Sequence, residues 1–262
     1  MLHPLADRGR SRLAFAGIAL WVIWLPLHEA ASQTMDVGVR LWRMSPDGQL
    51  AVGADGMDGA TLDVRDDLGH ENAEDVLAGA LDVGDVHQLS VSYLQSSASA
   101  HRSLAAGARI GDRDFAAGSS LASSLDLTLL RVAYRYRAGL DALKGGLLAG
   151  MQTVDLDVSA SARGSGSSSG RFRSTLPVIG AFASWSPTPF FAVCASVTGG
   201  TWDWADSSRS FVDAEAMARL DLVPFFVGAG WRRITLEHVD TDTPSDADLV
   251  FAGPQILGGF TF

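Results

Sequence analysis

Apolar and polar side chains alternate strictly along several long segments of this chain. In "QLSVSY" (88–93), Leu89, Val91 and Tyr93 share one side of the segment and polar residues share the other. The same period of two runs through "VDLDVSAS" (154–161) and "VDAEAMARLDL" (212–222). Side chains alternate between the two faces of a β-strand, so a period of two predicts strands. The chain is therefore expected to be all-β.

Two segments interrupt this alternation. In "LDLTLLRVAYRYR" (125–137) the phase slips between Leu129 and Leu130, and a second slip occurs at Arg232 and Arg233. A β-bulge inserts one extra residue into a strand and shifts the alternation by one position. We interpret both slips as bulges, and we expect one of the two arginines to share the polar face of its strand.

Turn-forming residues divide the alternating pattern into segments. The short breaks lie at Gly84-Asp85, 139–144, 186–189 and Val223-Pro224, whereas longer polar stretches lie at 44–74, 103–118, 163–171, 205–209 and 240–247. The Gly- and Ser-rich 163–171 stretch is expected to be a mobile external loop. The segments between the breaks predict ten strands, at 35–43, 75–83, 87–102, 119–138, 143–162, 172–185, 190–204, 210–223, 225–239 and 248–262.

Short and long connections alternate along the chain, which places every short turn on one side of the sheet. A β-sandwich has no need for this arrangement, but bacterial outer-membrane barrels have it, together with an even number of antiparallel strands. Although 47% of the residues are hydrophobic, no segment after residue 32 is long and apolar enough for a transmembrane helix. We therefore predict one transmembrane antiparallel up-and-down β-barrel over 33–262, with about ten strands and eight as the alternative.

The N-terminal 32 residues have the pattern of a cleaved signal peptide. Arg8, Arg10 and Arg12 precede an apolar run from Leu13 to Leu27, and small residues follow. The alternative is an uncleaved anchor, but the run is shorter than the roughly 20 residues that span a bilayer.

Aromatic residues cluster beside the predicted short turns. Amphipathic rings prefer the boundary between membrane and water, so this cluster predicts a membrane girdle on the short-turn side, made of Tyr134, Tyr136, Trp185, Phe190, Phe191, Phe225, Phe226, Phe260 and Phe262. A second, sparser girdle is expected beside the long loops, made of Trp42, Trp202, Trp204, Phe211 and Phe251.

The polar faces of the strands carry charges of both signs. Inside a narrow barrel such side chains can meet, so we expect an ion-pair network that fills the lumen. Its predicted members are Asp126, Arg131, Arg135, Asp155, Asp157, Asp213, Glu215, Arg219, Asp221 and Glu237. The alternative is a narrow polar pathway or a ligand pocket lined by the same residues.

The remaining composition excludes several classes of partner. Without residues 1–32, the chain has 17 basic and 28 acidic residues, which argues against nucleic acid as a partner. The acidic segment with Asp63, Asp66 and Asp67 lacks the spacing of a calcium loop. The single cysteine, Cys194, cannot form an internal disulfide and is expected to be an apolar filler. We predict no metal and no cofactor.

The predicted signal segment, the alternating strands and the terminal Phe260-Thr261-Phe262 resemble the small outer-membrane barrels of Gram-negative bacteria, the OmpA- and OmpW-like group. This resemblance implies contact with outer-membrane lipid and lipopolysaccharide, a monomer, and Phe260 and Phe262 as the signal for the barrel-assembly machinery. The number of strands departs from the eight of OmpA, and the sequence shows no peptidoglycan-binding domain. "GATLDVRDDLG", "HQLSVSYLQSS" and "LDLTLLRVAYRYR" also look like a family of barrels with no assigned activity.

Function follows less directly from these patterns. A non-enzymatic barrel is expected, serving envelope structure, surface-loop interaction or narrow solute passage. The alternative is a protease or lipid hydrolase at the extracellular rim, because proteases of the omptin type carry acidic residues and an Asp-His pair there. Here Asp155-Leu156-Asp157 and Glu237-His238-Val239-Asp240 have similar residue types, although His238 falls on the lipid-facing register. No Gly-x-Ser-x-Gly motif is present.

Overall fold

The computed structural model describes residues 34–53, 59–140, 142–162, 164–204, 207–240 and 245–262. The predicted signal peptide at 1–32 lies outside the described residues. Among the residues that are described, no helix is long and apolar enough to cross a membrane.

The described chain forms thirteen strands, ten of which close into one antiparallel barrel. The barrel strands are β1 (Met35–Ala51), β3 (Glu74–Val83), β4 (His87–Ser103), β7 (Ser120–Leu140), β8 (Leu143–Ala162), β9 (Gly166–Thr188), β10 (Phe191–Trp204), β11 (Ser207–Leu222), β12 (Phe225–Asp240) and β13 (Ser245–Thr261). Each pairs with its neighbours along the chain, and β13 closes the barrel against β1. The short strands are β2 (Thr61–Asp63), β5 (Ala108–Ile110) and β6 (Arg113–Phe115). The predicted ten-stranded up-and-down barrel is confirmed.

The strands are longer than predicted at the end of the barrel opposite the short turns. β1 continues to Ala51, into the predicted 44–74 loop, and β9 begins at Gly166, inside the Gly- and Ser-rich stretch. That stretch pairs with β8, so that Ser169 lies opposite Ser159 and Ser167 opposite Ser161. Its composition favours a flexible loop, but the ladder of β8 supplies partners for its backbone groups, and the loop prediction is wrong for residues 166–171.

The hydrophobic face of the sheet changes sides part-way along each long strand. On β7, Leu130 and Val132 are exposed on the outer surface, whereas Leu127 and Leu129 are at most 4% exposed and point into the barrel. The pairing of β7 with β4 and with β8 is continuous through these positions. The slip at Leu129 and Leu130 is therefore not a bulge. It marks the level at which apolar side chains pass from the outer face to the inner face.

The same inversion explains the second slip. Arg232 is buried inside the barrel, Arg233 is exposed outside, and Ile234 returns to the interior with no exposed surface. The register of β12 with both neighbours is unbroken here, so this predicted bulge is also wrong.

Four predicted lumen residues lie beyond the inversion and are therefore on the outer face. Asp126, Asp155, Asp157 and Glu237 alternate with buried leucines and valines along their strands. The prediction assumed that polar side chains face inward along the whole strand. Beyond the inversion the outer face of the barrel is polar, so the alternation places these carboxylates on the outside.

Beyond the inversion, the inside of the barrel is a packed hydrophobic core. It includes Trp42, Met44, Leu94, Leu121, Leu125, Leu127, Leu156, Phe172, Leu176, Phe211, Ile234, Leu249 and Phe251, all buried. Fully burying one such side chain contributes roughly 1.5–3 kcal/mol. The outer face of this part of the barrel carries polar side chains, so its apolar side chains pack inward, as in a soluble protein.

Two connections cover this core: the one between β1 and β3 and the one between β4 and β7. The segment with β2 contributes Leu62, Val64 and Leu68, and the segment with β5 and β6 contributes Leu104, Ile110 and Phe115, all at most 4% exposed. The two segments are joined by a hydrogen bond from the Ala60 amide to the Arg109 carbonyl (2.8 Å). We call these two segments the cap.

The cap is fixed to the barrel wall by polar contacts. The Ser123 hydroxyl donates to the Leu68 carbonyl (2.6 Å) and lies 3.2 Å from Nε2 of His70. The amide of Gly111 donates to the Val52 carbonyl (2.7 Å). Burial lowers the pKa of His70, because desolvation disfavours the charged imidazolium. His70 is therefore held as a neutral side chain in the cap.

Candidate functional site

The interior of the barrel between the core and the short turns is mostly polar, apart from a small apolar cluster of Met217, Phe226 and Leu257. Four of its charged side chains come from β11. Asp213, Glu215, Arg219 and Asp221 alternate along this strand and all face inward. Each joins a group of charged side chains from other strands, so that the lumen holds three tiers of ion pairs, one above another.

The upper tier is the most buried. Arg232 donates to both carboxylate oxygens of Asp213 (3.0 and 2.8 Å), and Arg131 donates to one of them (2.6 Å). The Asp213 and Arg232 side chains are only 6% and 8% exposed. Gln152 accepts from Arg131 (2.9 Å) and donates to two backbone carbonyls. The charges of this tier are therefore paired with one another inside the barrel.

Aromatic rings of the core close the upper tier from above. The guanidinium of Arg232 lies 5.2 Å from the ring of Trp42, and that of Arg131 lies 5.6 Å from the ring of Phe211. Such cation–π contacts are attractive when the cation is desolvated. The polar network and the apolar core thus meet directly, at the level where the hydrophobic face inverts.

The middle tier centres on Glu215. Arg40 donates to this carboxylate from across the barrel (2.7 Å), and Gln255 donates to the same oxygen (3.3 Å).

The lower tier centres on Arg219, near the short turns. It donates to Asp221 (2.7 Å) and Asp36 (3.2 Å), and its guanidinium lies 3.9 Å from the ring centre of Phe226. Thr261 donates to the other oxygen of Asp36 (2.6 Å). The predicted residue Arg135 lies on the same side of the inversion, 3.4 Å from Asp82.

The structure therefore brings Arg131, Arg135, Asp213, Glu215, Arg219 and Asp221 into the lumen, as the sequence predicted. Arg232 is the one of the two neighbouring arginines that joins them, as expected. Asp36, Arg40 and Asp82 are lumen partners that the sequence analysis did not name. The signal for the first two was present, since Asp36 and Arg40 share the alternating face opposite Val37, Val39 and Leu41.

The acidic pair considered for a hydrolase has a different setting. Arg171 donates to both oxygens of Asp155 (2.8 and 2.5 Å) on the outer face of the barrel, and this hydrogen-bonded pairing lowers the pKa of Asp155. His238 points inward, with its ring 5.3 Å from that of Phe172. The expected lipid-facing register of His238 is therefore wrong, and Asp155 and His238 lie on opposite faces of the sheet.

The predicted girdle beside the short turns lies mostly on the outer surface. Tyr134, Tyr136, Trp185, Phe190, Phe225, Phe260 and Phe262 are 45–67% exposed, and Phe191 is half-buried. The rings of Phe225 and Phe260 are 4.9 Å apart, and those of Phe260 and Phe262 are 6.1 Å apart. The prediction that Phe226 belongs to this girdle is wrong. Phe226 is 3% exposed and faces the lumen, because alternation places it on the face opposite to that of Phe225.

The second predicted girdle is largely wrong. Trp42, Phe211 and Phe251 have no exposed surface and belong to the interior core, since their strands have inverted at that level. Trp202 is 43% exposed, and the side chain of Trp204 lies outside the described part of the chain.

A continuous apolar belt surrounds the barrel on the outside. On β7 it runs from Leu130 to Leu140, which is about 33 Å along the strand and about 25 Å of height at the usual tilt of about 40°. That is the thickness of the apolar band of an outer-membrane barrel. The fold is that of a bacterial outer-membrane β-barrel. The short turns and both ends of the described barrel then face the periplasm, and the core with its cap lies on the extracellular side.

One comparison with a solved structure supports this fold. The chain is similar to the outer membrane protease OmpT of Escherichia coli, with a TM-score of 0.57 and 12% identity over 89% of this chain and 99% of that one. It is also similar to the attachment invasion locus protein Ail of Yersinia pestis (TM-score 0.40, 11% identity, 88% and 100% covered) and to the toluene transporter TodX of Pseudomonas putida (0.29, 10%, 87% and 88%).

No family model matches the outer-membrane barrel described here. No curated protein matches it either. Within the described residues, no group of three or more His, Cys, Asp or Glu side chains could hold a metal ion.

Proposed function

We propose that this outer-membrane barrel is a non-enzymatic, sealed scaffold that holds a folded extracellular extension at the cell surface for contact with partners. The observation that carries the proposal is the hydrophobic core inside the extracellular half. A barrel built for passage needs a continuous polar path, and here the path meets buried Leu, Phe and Trp side chains instead.

Two layers in series favour a closed lumen. The upper tier ties Arg131, Asp213 and Arg232 together across the bore, and the core with its cap fills the space beyond it. Moving a hydrated ion through the core would require stripping its water without replacing it, at a cost of many kcal/mol. Of the non-enzymatic roles considered from the sequence, surface interaction and envelope structure fit this interior better than solute passage.

The alternative of a rim hydrolase has less support. A general acid–base pair must lie within hydrogen-bond reach of one substrate. Asp155 is engaged by Arg171 on the outer face, whereas His238 packs against Phe172 inside the sheet.

Single-channel recording in planar bilayers tests the sealed lumen. The refolded full chain should insert and give no current steps above baseline, while a porin inserted in the same bilayers gives its ordinary steps. Reproducible steps from folded protein would overturn the sealed scaffold.

Hydrolysis assays test the absence of enzymatic activity. The folded barrel should cleave neither peptide nor phospholipid substrates above the level of a refolding blank. Cleavage that is lost in an Asp155→Ala/Asp157→Ala variant would establish the alternative instead.

A further inference from the structure

The outer face of the barrel carries a groove of about 600 Å³ at the upper edge of the apolar belt. Its floor is the outward side of β13, formed by Val250, Ala252 and Pro254. Its walls are β1, with Arg43, and β12, with Trp231 and Arg233. We call this the β13 groove, and it lies outside the lumen and its ion pairs.

Arg43 and Arg233 are the first charged residues above the belt on their strands. On β1 the outward side chains below Arg43 are Val37, Val39 and Leu41, and on β12 those below Arg233 are Phe225, Val227, Ala229 and Trp231. Both guanidinium groups are therefore at the level where the acyl chains of the outer leaflet give way to headgroups. Trp231, which is 55% exposed, marks the same boundary, as interfacial tryptophans do.

The register directs the two arginines toward the same space. Arg233 lies opposite Ala252 on β13 and Ala214 on β11, so small residues flank it on both sides. The pairing on either side of Arg43 places it opposite Pro254. The two strands flank β13 and are about 10 Å apart, a gap that two arginine side chains can close over a ligand between them.

Within the described residues, neither Arg43 nor Arg233 has an ion pair or a hydrogen bond from its side chain. Three acidic residues lie near the two arginines, and two of them line the groove. Asp47, which pairs with Arg65 at 3.4 Å, and Asp248 belong to the groove lining together with Arg65. Asp75 is the cross-strand partner of Arg43 on the side away from β13. These acids limit the net charge of the groove without occupying the two guanidinium groups.

We propose that the β13 groove binds a phosphate group of an outer-leaflet glycolipid, the lipopolysaccharide of a Gram-negative outer membrane. Arginine presents a planar fork of donors that matches phosphate oxygens in bidentate fashion. The belt below holds the acyl chains against Val39, Leu41 and Val227, and the arginines above meet the phosphates. The inference depends on the membrane-spanning fold and not on the sealed lumen, so a conductance result does not affect it.

The test uses the refolded full chain in detergent and counts bound lipid by native mass spectrometry. The probes are diphosphorylated lipid A, its dephosphorylated form and inorganic phosphate. Wild-type protein should retain the diphosphorylated lipid at least tenfold better than the dephosphorylated form. The Arg43→Gln/Arg233→Gln variant should lose that preference, and Arg43→Lys/Arg233→Lys should keep part of it, because the charges remain.

Arg173→Gln is the matched control, since Arg173 is an exposed arginine at the outer face of β9, away from the groove. It should bind like the wild type, and heat-modifiable migration should show that every variant is folded. Equal retention by wild type and the Gln variant would overturn the proposal. Competition by millimolar inorganic phosphate that removes the lipid completely would assign the site to free phosphate and overturn the lipid assignment.

Discussion

At the scale of single residues, the same residue type has different roles on the two sides of the sheet. Asp213 is enclosed by two arginines in the lumen, with its side chain 6% exposed. Asp155 is bound by Arg171 on the outer surface, and the Arg171 side chain is 55% exposed. Exposed ion pairs contribute about 0–1 kcal/mol, whereas removing one partner of a buried pair costs about 3–5 kcal/mol.

This difference predicts the outcome of two matched substitutions. Asp213→Ala should lower the free energy of unfolding by about 3–5 kcal/mol, because Arg131 and Arg232 would remain buried without a counter-charge. Asp155→Ala should change it by no more than about 1 kcal/mol. Urea-induced unfolding in lipid vesicles, followed by tryptophan fluorescence, measures both values. Equal losses in the two variants would mean that the upper tier is solvated.

At the scale of one element, β7 shows how a strand can serve two environments. Its outer face is apolar from Leu130 toward the short turns and polar from Thr128 outward, and its inner face has the reverse order. The strand needs no irregularity to do this, since a change in which positions are apolar is sufficient. We expect the level of the change to mark the upper boundary of the membrane.

An arginine placed on either side of this boundary should report it. Val132→Arg enters the belt and should cost about 2 kcal/mol, because charge on the lipid face is penalised according to depth. Thr128 lies four residues farther from the short turns on the same face, and Thr128→Arg should cost about 0–1 kcal/mol. The comparison uses the unfolding free energy in vesicles of one lipid composition. A larger loss for Thr128→Arg would place the membrane boundary above that residue.

At the scale of the whole molecule, stability depends on closing the barrel between β13 and β1. The amide of Met35 donates to the Phe262 carbonyl (3.0 Å), and the amide of Phe262 donates to the Met35 carbonyl (2.9 Å). Phe260 and Phe262 also belong to the aromatic girdle, next to Phe225. The terminal residues thus lie both on the closing seam and at the periplasmic edge of the membrane.

Deleting Phe262 should therefore reduce the amount of folded barrel in the outer membrane several-fold. It removes two backbone hydrogen bonds from the seam and the last aromatic of the predicted assembly signal. The heat-modifiable fraction in isolated outer membranes measures this, with Phe190→Ala as the control for loss of a girdle aromatic away from the seam. Wild-type levels after the deletion would contradict the assembly role.

Much of the site could be predicted because alternation is a local property. The positions of Asp213, Glu215, Arg219 and Asp221 follow from counting along one strand, and the exposed Phe260 and Phe262 follow in the same way. Asp126, Asp155, Asp157 and Glu237 could not be placed from the pattern alone. A strand with Leu-Leu or Arg-Arg in the middle fits either a bulge or a change of environment, and only the unbroken register distinguishes the two.

Sequence patterns alone predicted the fold class, about ten barrel strands and most of the aromatic girdle beside the short turns. These depend on period two and on turn residues, both of which act between near neighbours in the chain. The closed barrel was needed to show that the extracellular half is filled with Trp42, Leu127, Phe211 and Phe251 and covered by the cap. Whether an outward position on a strand faces lipid or water depends on where it lies along the barrel axis. The pairing of all ten strands together sets that position.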